Sequence, residues 1–214
     1  MLNRIFLTLL ITAGAACAQT YSLGVLGGYG TAPSLDVNLN TGSGTESAST
    51  GLNGGGVIGA VGGGDNSKYW GGELRYMCRF GGFKLASDGT EVDFGGHTHI
   101  IAADILRYFT PRESAIRPYV SFGGGIRILV GTGEESATQP LGNFAALTAT
   151  REALAVGDFG VGLKFKLSKS TNLRLEVRDY IGPAPNKVIA PNVGASISGI
   201  LNDVIAMAVL SYTW

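Results

Sequence analysis

The sequence predicts an all-β fold: a transmembrane up-and-down antiparallel β-barrel of eight strands, with short turns at one end and long loops at the other. Three observations carry this expectation. The chain finishes on Ala208-Val209-Leu210-Ser211-Tyr212-Thr213-Trp214, where apolar or aromatic residues alternate with small or polar ones. A strand buried on both faces reads as a continuous apolar run, whereas a strand between lipid and a polar interior alternates. The same period of two recurs upstream, and the connections between the periodic segments are alternately short and long.

Residues 1–18 read as a cleaved export signal. Arg4 supplies the positive start, Ile5 to Ile11 an apolar core too short to span a bilayer, and Ala16-Cys17-Ala18 an A-x-A site that leaves Gln19 as the new N-terminus. A retained anchor or lipid attachment at Cys17 are the alternatives. Residues 19–214 then form one barrel domain. They contain no apolar run long enough for a transmembrane helix; Val204 to Leu210 is the longest, at strand length. Lys and Arg number 16 against 16 Asp and Glu, so no basic surface points to nucleic acid. With Cys17 removed, Cys78 is alone and no internal disulfide is expected. Glycine makes up 34 of 214 residues, against a usual share of about 7%. It is interleaved with Val, Ile, Leu and Tyr, as in strands whose backbones approach closely.

The expected strands are Tyr21 to Tyr29, Gly55 to Gly64, Trp70 to Phe80, His97 to Phe109, Pro118 to Val130, Ala155 to Leu167, Asn172 to Tyr180 and Asn202 to Trp214. Most exceed the five or six residues typical of soluble sheets, and approach the roughly nine to eleven that cross a membrane. Asp65 to Lys68, Thr110 to Arg117 and Ser168 to Thr171 are short links; Thr31 to Gly54, Gly81 to Gly96, Gly131 to Leu154 and Ile181 to Leu201 are long. Short periplasmic turns, long outer loops and an even strand number place both termini on the periplasmic side. The polar stretch Thr31 to Gly54 is expected to be mobile. Phe144 to Leu147, Val188 and Ile189 are apolar loop residues that pack together, extend the hairpins or meet a partner.

Faces follow from parity. Glu73, Arg75, Met77 and Arg79 oppose Leu74, Tyr76, Cys78 and Phe80. Asp158, Gly160, Gly162 and Lys164 oppose Phe159, Val161 and Leu163. Arg174, Glu176 and Arg178 oppose Leu173, Leu175 and Val177. A Lys or Arg facing lipid at mid-depth costs about 2–4 kcal/mol, so the charged faces turn inward. Asp104 and Arg127 join them. Arg107 falls on the lipid side near a strand end, where it can snorkel. The strand from Gly55 has no legible phase. Tyr21, Tyr69, Trp70, Tyr108, Phe109, Tyr119, Phe165, Tyr212 and Trp214 fall at periplasmic strand ends, and Tyr29, Phe80, Phe83, Phe94 and Tyr180 at or near the others, as two aromatic girdles.

On these features the chain resembles the small eight-stranded outer-membrane barrels of the OmpA-transmembrane-domain and OmpX type. The resemblance rests on the architecture, on strands such as Leu173 to Tyr180, and on Leu210-Ser211-Tyr212-Thr213-Trp214 as a C-terminal assembly signal. The family usually ends in Phe, so Trp214 is a departure. The resemblance implies a Gram-negative outer membrane, contact with its lipid, and insertion by the barrel-assembly machinery through Leu210, Tyr212 and Trp214. It is not extended to peptidoglycan binding, since no such domain follows the last strand.

Motifs for other chemistry are weak. Gly54-Gly55-Gly56-Val57-Ile58-Gly59 matches a dinucleotide fingerprint literally but opens a strand instead of a helix. His97 and His99 share a face without further ligands and read as a polar rim. Ser87, Asp88, Asp93, His97 and His99 contain the residue types of a rim hydrolase, with no spacing that favours one. No enzyme activity, metal or cofactor is expected. An eight-stranded interior is just wide enough for side chains. Glu73, Arg75, Arg79, Asp104, Arg127, Asp158, Lys164, Arg174, Glu176 and Arg178 are therefore expected to form a salt-bridged plug. The expected protein is a monomer with a structural or surface-interaction role, its loops open to an extracellular ligand. A small gated pore is the alternative, followed by a membrane-embedded hydrolase and a soluble β-sandwich.

Overall fold

The computed structural model describes residues 20–42, 44–136 and 138–214. The leader expected from the sequence, with Cys17 and the Ala18–Gln19 junction, lies outside the described residues. In chain order the strands are β1 (Thr20–Thr31), β2 (Leu35–Thr41), β3 (Gly44–Leu52), β4 (Gly55–Asp65) and β5 (Trp70–Phe80). Then come β6 (Phe83–Ser87), β7 (Thr90–Phe94), β8 (Gly96–Tyr108), β9 (Ile116–Gly131) and β10 (Ala145–Leu147). The last are β11 (Arg151–Lys166), β12 (Thr171–Pro183), β13 (Ile189–Pro191), β14 (Ala195–Ser198) and β15 (Ile200–Thr213).

Eight of them close a barrel, in the order β1-β4-β5-β8-β9-β11-β12-β15 and back to β1, every neighbour antiparallel. Closure leaves no barrel edge unpaired. The barrel strands run from 11 to 16 residues. Short turns join β4 to β5, β8 to β9 and β11 to β12. Two of these are held by serine side chains: Ser67 Oγ accepts from the Trp70 amide at 3.2 Å and Ser168 Oγ from the Thr171 amide at 3.0 Å. Both ends of the barrel segment meet there too, with Tyr21 and Trp214 exchanging backbone hydrogen bonds of 3.1 and 3.0 Å.

Side-chain parity sorts the wall. Leu23, Val25, Ile58, Leu74, Ile101, Ile105, Ile126, Val161, Leu175, Val177 and Leu210 stand exposed around the outside. Tyr76, Phe122 and Phe159 stand among them at mid-height. The unphased strand, β4, resolves: Val57, Val61 and Asp65 are buried inside and Ile58 is outside. Arg107 faces outward, its guanidinium 5.0 and 5.1 Å from the ring centres of Tyr69 and Trp70.

Two expectations are corrected. Thr31 to Gly54 is not a loose loop: it contains the β2–β3 hairpin, paired from Leu35–Thr50 to Thr41–Gly44. The reason is a short alternation, Leu35, Val37 and Leu39 against Asp36 and Asn38, which supplies one apolar face. That hairpin sits in a five-stranded sheet ordered β14-β2-β3-β6-β7, with β10 and β13 paired beside it. Its core joins Val37, Leu52, Phe83, Leu85, Phe144, Leu147, Val188 and Ile189 to Leu129 and Leu201 of the barrel wall. The long loops thus fold into a cap on one rim, and their apolar residues pack on each other. The aromatic girdles are the second correction. Tyr108, Tyr119 and Tyr180 are buried inside the barrel, and Phe83 and Phe94 lie in the cap core. These residues are at the height of a girdle but on the wrong parity for lipid.

Inward glycines make room for the largest side chains. A Cβ on Gly160 would stand 2.6 Å from Arg178 Cγ and 2.7 Å from Ser121 Oγ. One on Gly162 would stand 2.6 Å from the Tyr119 ring and hydroxyl. Gly162→Val therefore overpacks the interior. It is expected to lower stability by about 1–3 kcal/mol, read from urea unfolding in detergent micelles, while Ala60→Val on the outer face leaves the midpoint nearly unchanged.

Candidate functional site

The most elaborate constellation in the molecule is its ionised interior, which is built in three layers. At mid-height Glu73 is the hub. Its Oε1 accepts from Arg75 Nη2 and Arg178 Nη2, both at 2.6 Å, and its Oε2 from Arg174 Nη1 at 2.7 Å. Glu176 lies 2.5 Å from Arg75 Nη1 and receives the Tyr119 hydroxyl. Arg178 Nη1 reaches Asp104 at 2.7 Å and Asp158 at 3.1 Å. Arg75 Nη1 also touches Met207 Sδ at 2.9 Å. Three guanidinium groups and four carboxylates from β5, β8, β11 and β12 thereby span the lumen. Taking such ions from water costs several kcal/mol each. Short, multiple charge-assisted hydrogen bonds offset that cost.

The layer toward the cap binds backbone as much as charge. Arg79 Nε lies 3.1 Å from Asp203 Oδ1, and Arg79 Nη2 donates to the Asn53 carbonyl at 2.7 Å. Arg127 Nη2 donates to the Tyr180 carbonyl at 2.6 Å. Just above, the buried Glu152 accepts from the amides of Asn186, Lys187 and Val188 at 2.9–3.2 Å and fixes that loop. The layer at the short-turn end centres on Asp65 Oδ2, which accepts from Arg117 Nη1 at 2.5 Å and lies 3.7 Å from Lys164 Nζ. Arg117 stacks over Tyr108, 3.7 Å from its ring centre.

Of the interior residues singled out in the sequence, Glu73, Arg75, Asp104, Asp158, Arg174, Glu176 and Arg178 come together at mid-height. Arg79 and Arg127 are in the cap-side layer, and Arg127 makes carbonyl contacts instead of an ion pair. Lys164 stands apart beside Asp65. Sequence reasoning missed Asp65 and Arg117, which it placed in turns, Asp203 and Tyr119, whose parity on their strands was the available signal, and Glu152, which it placed in the loop from Gly131 to Leu154.

The rim residues do not assemble. His97 and His99 face outward with ring centres 4.9 Å apart, and Tyr76 OH is 3.0 Å from His99 Nδ1. Ser87 donates to the Ser47 carbonyl at 3.0 Å and Asp93 accepts from Asn53 at 2.7 Å. Among the described residues no hydrogen bond or ion pair joins Ser87, Asp88 or Asp93 to either histidine. The segment from Gly54 to Gly59 runs into barrel strand β4, without the helix a dinucleotide site needs.

A closed antiparallel barrel of eight strands, apolar outside and ionised inside, is the fold of the small outer-membrane barrels. The chain is similar to the outer membrane protein OprG from Pseudomonas aeruginosa, at 12% identity over 92% of this chain and 96% of that one, with a TM-score of 0.54. It is similar to the N-terminal β-barrel domain of Pseudomonas aeruginosa OprF, at 12% identity over 92% and 98%, TM-score 0.50. The outer membrane protein AlkL, solved in DMPC lipid bilayers, matches at 15% identity over 92% and 90%, TM-score 0.50. At these identities the likeness is one of fold. No protein-family model matches the sequence, and no curated protein does.

Glu73 holds three arginines at once, so Glu73→Ala leaves the buried Arg174 without its ion pair and takes one partner each from Arg75, which keeps Glu176, and Arg178, which keeps Asp104 and Asp158. The expected loss is about 3–5 kcal/mol of unfolding free energy, measured by urea titration in micelles and followed by tryptophan fluorescence.

Proposed function

We propose that this chain is an exported outer-membrane protein of a Gram-negative cell, with a sealed interior and a structural or surface-interaction role. In this reading residues 1–18 direct export and are removed. The short turns face the periplasm, and the cap stands outside the cell. One observation carries it: the lumen is filled by the side chains of its own wall, from Asp65 through Glu73 to Asp203, with an apolar core on top. The continuous exposed belt of Leu, Ile, Val and Phe supports a lipid environment, since soluble monomers rarely expose an apolar patch above a few hundred Å². Outward Tyr21, Trp70, Phe109, Tyr212 and Trp214 at one end, with Tyr29 and Phe80 at the other, suit the two bilayer interfaces.

A surface role is supported by the cap being a folded platform. Its sheet ends in β14 and β7, strands paired on one side only among the described residues. Such edges accept an added strand from a partner.

Planar-bilayer recording tests the sealed interior. Purified protein is expected to give no stable conductance steps; reproducible ion-selective steps would favour the gated pore instead. The terminal strand is expected to address the assembly machinery, so deleting Trp214 should reduce membrane insertion more than export. Fractionation of cells with and without the deletion checks this, and normal insertion of the truncated chain removes the assembly role.

A further inference from the structure

The short-turn mouth contains a cavity of about 150 Å³ that the ion-pair column does not fill. Its charged lining is Arg112, Arg117, Lys164, Lys166, Lys169 and Asp65, with Thr20, Ser114, Asn172 and Thr213 supplying neutral polar groups. Five cations thus face one carboxylate, in a chain whose charges balance overall at 16 and 16. That carboxylate is already shared, since one oxygen of Asp65 serves Arg117 at 2.5 Å, Lys164 at 3.7 Å and Arg112 at 3.9 Å. Lys166 and Lys169 have no carboxylate within ion-pair distance among the described residues. The Nε atoms of Arg112 and Arg117 are buried and have no hydrogen-bond partner there. Glu113 shares a turn with Arg112 but does not line the cavity.

We infer that this mouth is a binding site for a phosphate-class oxyanion. Like charges held together in a recess repel one another and raise the local concentration of counter-ions. A tetrahedral dianion is opposite in sign to this excess and fits the space: at about 30 Å³ per water the cavity holds a phosphate group and a few waters. Three lysines provide point charges, and the two arginines, whose Nη2 atoms already donate to the carbonyls of Asp65 and Ser67 (Arg112) and of Lys68 (Arg117), add fixed positive charge and an unpartnered Nε–H each. Inorganic phosphate and the headgroup phosphate of a lipid beside the rim share this chemistry. The site lies at the opposite end from the cap and is independent of any surface role.

The test is calorimetric titration of the folded protein in a phosphate-free maltoside detergent with inorganic phosphate, at an ionic strength held constant with chloride. Saturable binding at one site is expected. The K166Q/K169Q variant removes two exposed cations that hold no ion pair, and its folding is checked by the migration of unboiled samples on a denaturing gel. Its affinity should fall roughly tenfold or more, as for lost charge-assisted contacts, while Lys187→Gln in the cap changes nothing. Repeating the titration in phosphatidylcholine vesicles separates the two sources. An unchanged affinity identifies the free anion; weakening by the uncharged-surface vesicles identifies a headgroup competing for the pocket. Absence of saturable binding in maltoside, or equal binding by K166Q/K169Q and the parent, overturns the assignment.

Discussion

The structure depends on the width of an eight-stranded lumen. Such a barrel leaves an interior that side chains can just fill. The outside is mostly apolar, with Asp179 on the outward parity of β12 opposite Phe159 as an exception, so most charges carried by the barrel strands at mid-depth turn into that narrow space. Arg75, Arg79 and Arg127 are fully buried there, and Arg178 is 1% exposed. A cation in that position with neither a carboxylate nor a backbone carbonyl to receive it would be prohibitive, which makes such a partner a condition of folding: carboxylates for Arg75, Arg79 and Arg178, the Tyr180 carbonyl for Arg127. Glu73 contributes most to meeting it, because one carboxylate pairs with guanidinium groups from β5 and β12 across the lumen while Glu176, Asp104 and Asp158 supply the rest of the negative charge.

The glycine content follows from the same constraint. Extended arginine and tyrosine side chains cannot cross a filled lumen unless some facing positions carry no side chain. Gly160 and Gly162 stand where Arg178 and Tyr119 need space, and Gly30 lies against Arg79, with a Cβ there only 2.7 Å from Nε. Glycine weakens a strand considered alone. In a closed ladder the backbone is held from both sides, and the gain lies in what the missing Cβ admits.

The barrel was legible because its signal is a period of two with a strong sign. Arg174, Glu176 and Arg178 alternating with Leu173, Leu175 and Val177 leave one placement, and the same argument located Asp104 and Arg127. Legibility failed where height was used without parity, as for Tyr108, Tyr119 and Tyr180, and where a strand had no sign, as for the glycine-rich β4. Asp65 and Arg117 were hidden because ladders extend further toward the turns than the apolar pattern does. The cap was least legible. Leu35, Val37 and Leu39 give too short an alternation to name a strand, and their partners Phe83, Phe144 and Val188 are distant in sequence. Only tertiary packing makes them one core. Glu152 is of the same kind: its purpose lies in the amides of Asn186 to Val188, which no local pattern announces.

The two ends of the barrel are finished by different physics, and this divides the molecule's capabilities. At the cap end, apolar burial dominates, and the contacts that couple cap to barrel include Leu129, Leu154 and Leu201 in the shared core, Arg79 on the Asn53 carbonyl, and Glu152 on its loop. Because the lumen is already filled by the wall, the cap is not needed as a plug, and its outer surface can be shaped by what it meets. At the short-turn end no apolar lid is formed by the described residues. Cations there outnumber the carboxylate that binds them, and water can reach them. Apolar cores exclude ions and hold shape, whereas a wet cluster of like charges stays open to exchange. The chain therefore presents a shape-determined face at one end and a charge-determined face at the other, with the ion-pair column between them.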